Sequence, residues 1–156
     1  MKKKTQGTKT SIRPFELLLV EDSPSDVRLI QRSFEEAKFL HRLSVVENGE
    51  AATDFLKKKG KFKGASTPDL ILLDLKLPKK DGQEVLKEIK EDPKLKQIPV
   101  VILTASKAEE DIVKSYKLHC NAYLQKPADI AGLIEVAKVI KDFWFTIVKL
   151  PPTEKG

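Results

Sequence analysis

Residues 70–82 read LILLDLKLPKKDG. The stretch begins with four consecutive aliphatic residues, Leu70 to Leu73, reaches a carboxylate at Asp74, alternates through Leu75, Lys76 and Leu77, and breaks at Pro78 and Asp81-Gly82. A short, nearly continuous apolar run bounded by turn residues reads as a strand buried on both faces of a parallel sheet. A carboxylate at the end of such a strand is expensive to desolvate unless it meets partners. The strand must therefore carry Asp74 to a place where the anion is compensated.

Working outward, the same kind of run recurs at FELLLV (15–20), LSVV (43–46), PVVILT (99–104) and AYLQ (122–125). Helix-like segments separate them. Ser23-Pro24 supplies an N-cap and a first-turn proline, Asp26 sits in the first turn, and Val27, Ile30, Phe34 and Ala37 share a face. Asn48-Gly49 precedes Ala51, Ala52, Phe55 and Leu56, with Gly60 suited to the exit, and Val85, Leu86 and Ile89 form the next face after Gly82. Ser106 and Glu109 have capping-box spacing ahead of Ile112, Val113 and Tyr116, and a last segment from Asp129 carries Leu133, Ala137, Ile140 and Trp144. Strand and helix alternate five times, which predicts an α/β fold: a (βα)5 doubly wound parallel sheet, flavodoxin-like, with strand order 2-1-3-4-5.

The chain has 156 residues, the size of one domain with one sizeable core. Residues 1–13 read as a disordered basic tail, 14–150 as the folded domain with an extended last helix, and 151–156 as a second tail. One cysteine, Cys120, excludes an internal disulfide framework and fits a reducing compartment. No apolar stretch follows the basic start, and no run of about 18 apolar residues occurs. A cytoplasmic location without membrane contact is expected. The net charge of +6 draws on Lys2, Lys3, Lys4, Lys9 and Arg13 and on KKKGKFK at 57–63, neither of which interleaves aromatics as a base-stacking platform would. Sequence-specific nucleic-acid binding is not expected. The stretch from Gly60 to Pro68 reads as a surface excursion longer than a βα connection needs.

Polar residues fall at the C-terminal ends of the runs: Glu21 and Asp22 after the first, Asp74 near the end of the third, Thr104 ending the fourth, and Lys126 after the fifth. In a parallel sheet those ends share one edge, where ligands of doubly wound folds bind. Carboxylates gathered there repel unless a cation intervenes, and hard oxygen donors suit Mg2+. Lys126 and Thr104 offer a positive charge and a hydroxyl donor to phosphoryl oxygens, so Asp74 can serve as a nucleophile that forms an acyl phosphate. Taken singly, each of these residues reads as an ordinary turn, cap or strand end. Their common edge and complementary chemistry favour a site.

Over residues 14–142 the chain resembles the receiver domains of two-component response regulators, on VED with Glu21-Asp22, LLDLKLPKKDG with Asp74, ILTAS with Thr104-Ala105, and AYLQKP with Lys126-Pro127. The resemblance implies that Asp74 is the phosphoacceptor. It implies that Glu21, Asp22, Asp74 and the backbone carbonyl of Lys76 bind Mg2+, with Mn2+ or Ca2+ as substitutes, and that Thr104 and Lys126 contact the phosphoryl group. A cis Lys126–Pro127 bond is implied as well. So is a switch, in which Thr104 moves toward the phosphate and Tyr123 swings into the space, changing the surface around the fourth helix, fifth strand and fifth helix. The plain alternative for Tyr123 is a half-buried aromatic.

Within the family the chain looks most like single-domain regulators that partner bacterial and cyanobacterial phytochrome histidine kinases, on the basic loop before the third strand, DLKLPKKDG and the ending FWFTIVKLP. Thirty residues follow Lys126, too few for a DNA-binding output domain. In the last segment Leu133, Ala137, Ile140, Trp144 and Ile147 form one stripe, while Val136, Val139, Phe143 and Val148 add apolar surface elsewhere. A helix apolar on two faces buries both, which predicts a homodimer through the fourth helix, fifth strand and fifth helix; the alternative is an extension folded onto its own domain. His41 and His119 read as structural. Two rival functions are a receiver-like binding module independent of phosphorylation, which would lack part of the site, and an aspartyl-phosphate phosphohydrolase, which wants a second aspartate where Lys76 stands.

Overall fold

The computed structural model describes residues 13–148, with side-chain surroundings to residue 143. The readings of the N-terminal tail through residue 12, of residues 149–156 and of the Trp144, Ile147 and Val148 side chains lie outside the described residues. Five strands, β1 (Phe15–Val20), β2 (His41–Val46), β3 (Leu70–Leu73), β4 (Val100–Thr104) and β5 (Ala122–Gln125), alternate with five α-helices. The helices are α1 (Pro24–Glu36), α2 (Gly49–Leu56), α3 (Gly82–Glu91), α4 (Glu109–Lys117) and α5 (Ile130–Val148). The sheet is wholly parallel in the order β2-β1-β3-β4-β5, the expected doubly wound arrangement.

Period-two alternation sorts the strands onto two cores. Phe15, Leu17, Leu19, Leu70, Leu72 and Leu103 face α1 and α5, meeting Ile30, Phe34, Ala37, Leu133, Ala137 and Ile140. Leu18, Val20, Ile71, Leu73, Val100 and Ile102 face α2 and α3, meeting Ala52, Phe55, Leu56, Val85, Leu86 and Ile89. All four residues of β3 are buried, as its unbroken apolar run requires. The edge strands β2 and β5 are mostly half-buried, so their sequences are less uniformly apolar.

Helix starts follow local chemistry. Ser23 accepts from the Asp26 amide, Asn48 from Ala51 and Asp81 from Glu84, each capping a free amide of the first turn. The expected capping box at Ser106 does not form. Helix α4 starts later, at an N-cap Ala108 whose side chain cannot cap, while the Ser106 hydroxyl donates to Asp111 at 2.7 Å and accepts from the Ala108 amide at 3.3 Å. Nor does α4 bury the face its apolar residues suggest: Val113 is 47% and Tyr116 50% exposed, and Ser115 is its buried residue.

The excursion after α2 is partly anchored. A short 3-10 turn, Gly60–Phe62, stacks Phe62 on Phe55 with ring centroids 5.3 Å apart. Helix α5 is apolar on two sides as expected. Leu133, Ala137 and Ile140 enter the core, whereas Val139 is 66% exposed and Phe143 also faces outward. No helix among the described residues is long and apolar enough to cross a membrane.

Candidate functional site

Register brings the polar residues together. Val20 pairs with Val46 on one side and Leu73 on the other, so the next residues, Glu21 and Asp74, emerge side by side. Backbone bonds extend the ladder one step further: Glu21 N–H donates to the Val46 carbonyl at 3.0 Å, and Asp74 N–H to the Val20 carbonyl at 3.1 Å. Thr104 lies opposite Gln125, and Lys126 N–H donates to the Thr104 carbonyl at 2.7 Å. The predicted common edge exists, and Glu21, Asp22, Asp74, Thr104 and Lys126 all stand on it.

Asp74 is 7% exposed and well compensated. Its Oδ1 accepts from the Thr104 hydroxyl at 2.7 Å, the Leu75 amide at 2.7 Å and the Lys76 amide at 3.4 Å. Its Oδ2 accepts from Lys126 Nζ at 3.2 Å. This answers the desolvation problem raised by its sequence, since buried anions persist when paired and hydrogen-bonded. The loop after Asp74 packs tightly on its neighbours: Gly82 N–H donates to the Leu75 carbonyl at 2.9 Å, and a Cβ on Gly82 would stand 2.2 Å from the Asp74 carbonyl oxygen.

Lys126 Nζ is shared among three carboxylates, at 2.5 Å from Glu21 Oε1, 2.8 Å from Asp26 Oδ2 and 3.2 Å from Asp74 Oδ2. Burial works against its charged form, but hydrogen bonds to Asp26 and Glu21 and the charge of Asp74 outweigh it, holding the ammonium above the ordinary lysine value. Glu21 is 1% exposed. Burial raises its proton affinity and the Asp74 charge adds to that, against the opposing bonds from Lys126 and the Ser23 amide.

Ligand oxygens of Glu21, Asp22 and Asp74 lie within 4.8 Å of one another. With Asp26 the cluster holds four carboxylates against one nearby ammonium, so with all ionised it carries an excess of three negative charges. A divalent cation with hard oxygen preference fits that donor set. The carbonyl ligand expected from Lys76 belongs to the loop whose amide reaches Asp74, while the Lys76 side chain extends to 4.0 Å from Asp111 Oδ2.

The two residues expected to form the switch are both hydrogen-bonded at the site. Thr104 already bonds Asp74, and the Tyr123 hydroxyl already donates to the Ser106 carbonyl at 3.0 Å. The Asp74 carboxylate offers the threonine hydroxyl an acceptor much as a phosphoryl oxygen would. The expected cis Lys126–Pro127 bond is corrected, since the described residues contain no cis peptide bond. Trans is favoured over cis at X–Pro by only about 0.5–1 kcal/mol, too little for the dipeptide to decide the isomer.

Two residues of this neighbourhood escaped the sequence reading. Asp26 looked like a first-turn helix acid, and its partner is 100 positions away. Asp111 drew no reading at all, yet its carboxylate takes the Ser106 hydroxyl and faces Lys76 across a cleft of about 720 Å³ lined also by Asp22, Pro78 and Gln83. Their only sequence signal is position in the first turn of a helix that starts at the ligand edge. His41 and His119 stay out of the site. His41 stacks beside Phe34 and Phe39 at the start of β2, and His119 occupies the left-handed turn after α4 with φ +70°.

Comparison with known proteins agrees with this geometry. The response regulator receiver domain family matches residues 17–138. Response regulator Rcp1 of Synechocystis sp. is 47% identical over 138 residues, 88% of this chain and 94% of Rcp1. The probable methanogenesis regulatory protein FilR2 of Methanothrix harundinacea is 43% identical over 131 residues, 84% of each chain. Among solved structures, the phosphorylated cyanobacterial phytochrome response regulator RcpA aligns with TM-score 0.82 at 46% identity, covering 90% of this chain and 100% of that one. The Mn2+-bound form of Rcp1 aligns with TM-score 0.80 at 47% identity, covering 89% and 100%. With Asp74 held between Thr104 and Lys126 beside an acidic pair on a 2-1-3-4-5 sheet, and with relatives of this closeness, the chain belongs to the response regulator receiver domain family.

Proposed function

We propose that this receiver takes a phosphoryl group from a histidine kinase onto Asp74 and thereby switches the surface formed by α4, β5 and α5. The observation that carries the reading is the placement of Asp74: one oxygen bonded to Thr104, the other to Lys126, on a rigid strand end beside Glu21 and Asp22. A carboxylate oxygen attacks phosphorus in line, the bond from phosphorus to the imidazole nitrogen breaks, and its electron pair leaves on that nitrogen. Lys126 and Thr104 then bind phosphoryl oxygens. Glu21, Asp22, Asp74 and the Lys76 carbonyl would hold Mg2+, with Mn2+ or Ca2+ as substitutes, which supplies charge neutralisation for the transferring group. Hydrolysis resets the switch by attack of water on the same phosphorus. Lys76 and Ser106 gate that water.

A phosphoryl group on Asp74 draws Thr104 toward it and draws Tyr123 inward, a local charge biasing the packing element that Thr104, bonded to Asp74, and Tyr123, bonded to the Ser106 carbonyl, form. Support for a phytochrome-type kinase as donor comes from the likeness to Rcp1 and to RcpA. We place the exchange in the cytoplasm, where a lone thiol such as Cys120 stays reduced. The outward Val113 and Tyr116 of α4 and Val139 and Phe143 of α5 support a homodimer on the α4, β5 and α5 face. A phosphorylation-independent binding module is disfavoured because no part of the acceptor site is missing.

The decisive experiment incubates the chain and Asp74→Asn with phosphorylated candidate kinases and follows transferred label. The unmodified chain should be labelled fastest by a phytochrome kinase, and Asp74→Asn not at all. Label on Asp74→Asn would remove Asp74 as acceptor.

A further inference from the structure

Asp26 stands apart from the residues that gather a cation. Its carboxylate lies 2.8 Å from Lys126 Nζ, yet the oxygens that cluster within 4.8 Å are those of Glu21, Asp22 and Asp74. It sits in the first turn of α1, whose free amides and dipole favour an anion, and the Ser23 cap bonds its amide at 3.3 Å. Two of the three carboxylates that Lys126 touches, Glu21 and Asp74, are also the candidate cation ligands. When a divalent cation occupies those oxygens, an ammonium left on the same carboxylates would compete for their lone pairs and repel the metal at close range. Among the described residues, Asp26 is the carboxylate partner of Lys126 that lies outside the cation cluster.

We propose that Asp26 is a positioning residue that holds the Lys126 ammonium when the divalent cation is bound, so that both positive charges share one site. It rests on the reading of the cluster as a cation and phosphoryl site. Asp26 keeps Lys126 beside Asp74 and within reach of an incoming phosphoryl group while removing it from the metal's ligands. Without Asp26, Lys126 falls back on Glu21 and Asp74 and cation affinity drops.

Mg2+ affinity, measured by calorimetry on the full chain, tests this in a double-mutant cycle with Lys126→Met. Asp26→Asn alone should weaken Mg2+ by about threefold to tenfold, toward the lower end of the coupling between contacting residues. In the Lys126→Met background the same change should alter affinity less than twofold, and Asp26→Glu should restore most of it. Equal losses in both backgrounds would reduce Asp26 to a bulk charge and overturn the proposal. A second readout is the Lys126 Nζ resonance in nitrogen-15 NMR. At saturating Mg2+ it should stay hydrogen-bonded and slow to exchange in the unmodified chain, and broaden beyond detection in Asp26→Asn. Broadening in the unmodified chain overturns the proposal without any variant. Mg2+ that fails to bind the unmodified chain would overturn the site reading itself, whereas Mg2+ binding indifferent to Asp26 would overturn this inference alone.

Discussion

At the level of single residues, charge placement governs behaviour around Asp74. Asp111 Oδ2 accepts from the Ser106 hydroxyl at 2.7 Å and lies 4.0 Å from Lys76 Nζ. Releasing them by Asp111→Ala lets the Lys76 ammonium pair with phosphoryl oxygens and cover the approach of water. Such a partly exposed pair is worth about 0.2–1 kcal/mol, so dephosphorylation should slow by a factor between about 1.4 and 5, read as the decay of labelled protein after the kinase is removed. Cys120 gives a pH prediction. Burial raises its thiol above the ordinary value of 9.0, with the nearby Lys90 charge opposing. Its thiol-bound form is therefore favoured by folding, a contribution fully present below pH 9 and lost as pH rises through the folded value. Reaction with an aromatic disulfide reagent should be slow in the folded chain at pH 8, fast in denaturant, and should climb in the folded chain only above pH 9.

Among the elements, the loop between β3 and α3 ties fold to chemistry. Gly82 opens α3 directly under the Asp74 carbonyl, and Gly49 opens α2 where a Cβ would stand within bonding distance of the Lys80 carbonyl. The two helix starts clamp the loop that follows the acceptor. Gly82→Ala should cost about 1–3 kcal/mol, seen as a lower urea midpoint, because backbone must shift to make room. It should also slow phosphotransfer more than a remote change of equal cost, since Asp74 moves with its carbonyl. Loss of the Asp81 cap in Asp81→Ala should cost about 1 kcal/mol by the same measurement. Most element positions were legible beforehand: β1 and β5 match their apolar runs, and the faces of α1, α2 and α3 are buried almost as patterned. Helix α4 was misread because its apolar residues imply a buried face without saying what would bury it, and because the helix begins after Ala108, two residues past the serine that the pattern favoured as its cap.

For the whole molecule, two cores on opposite faces of one sheet leave α4 and α5 with apolar surface still open to solvent. If that surface is the dimer contact, Val139→Asp should convert a dimer into a monomer in sedimentation at tens of micromolar, with acceptance of phosphate by Asp74 unchanged. A monomer for the unmodified chain, with and without a phosphate mimic, would refute the dimer.

The order of apolar runs and helical periods suffices for the fold class, and the polar residues that end those runs mark the candidate acceptor site. Five apolar runs alternating with helices, four of them ending in site-forming polar residues, fit a parallel sheet with a shared edge. The family motifs then named Glu21, Asp22, Asp74, Thr104, Tyr123 and Lys126. The partners that cross the chain emerge only in the folded domain: Asp26 on Lys126, Asp111 on Ser106, Tyr123 on the Ser106 carbonyl, and the side of α4 that faces water. Periodicity records whether a residue is buried. It does not record which of several carboxylates a lysine 100 positions away will reach, because that depends on distances set when the sheet registers lock.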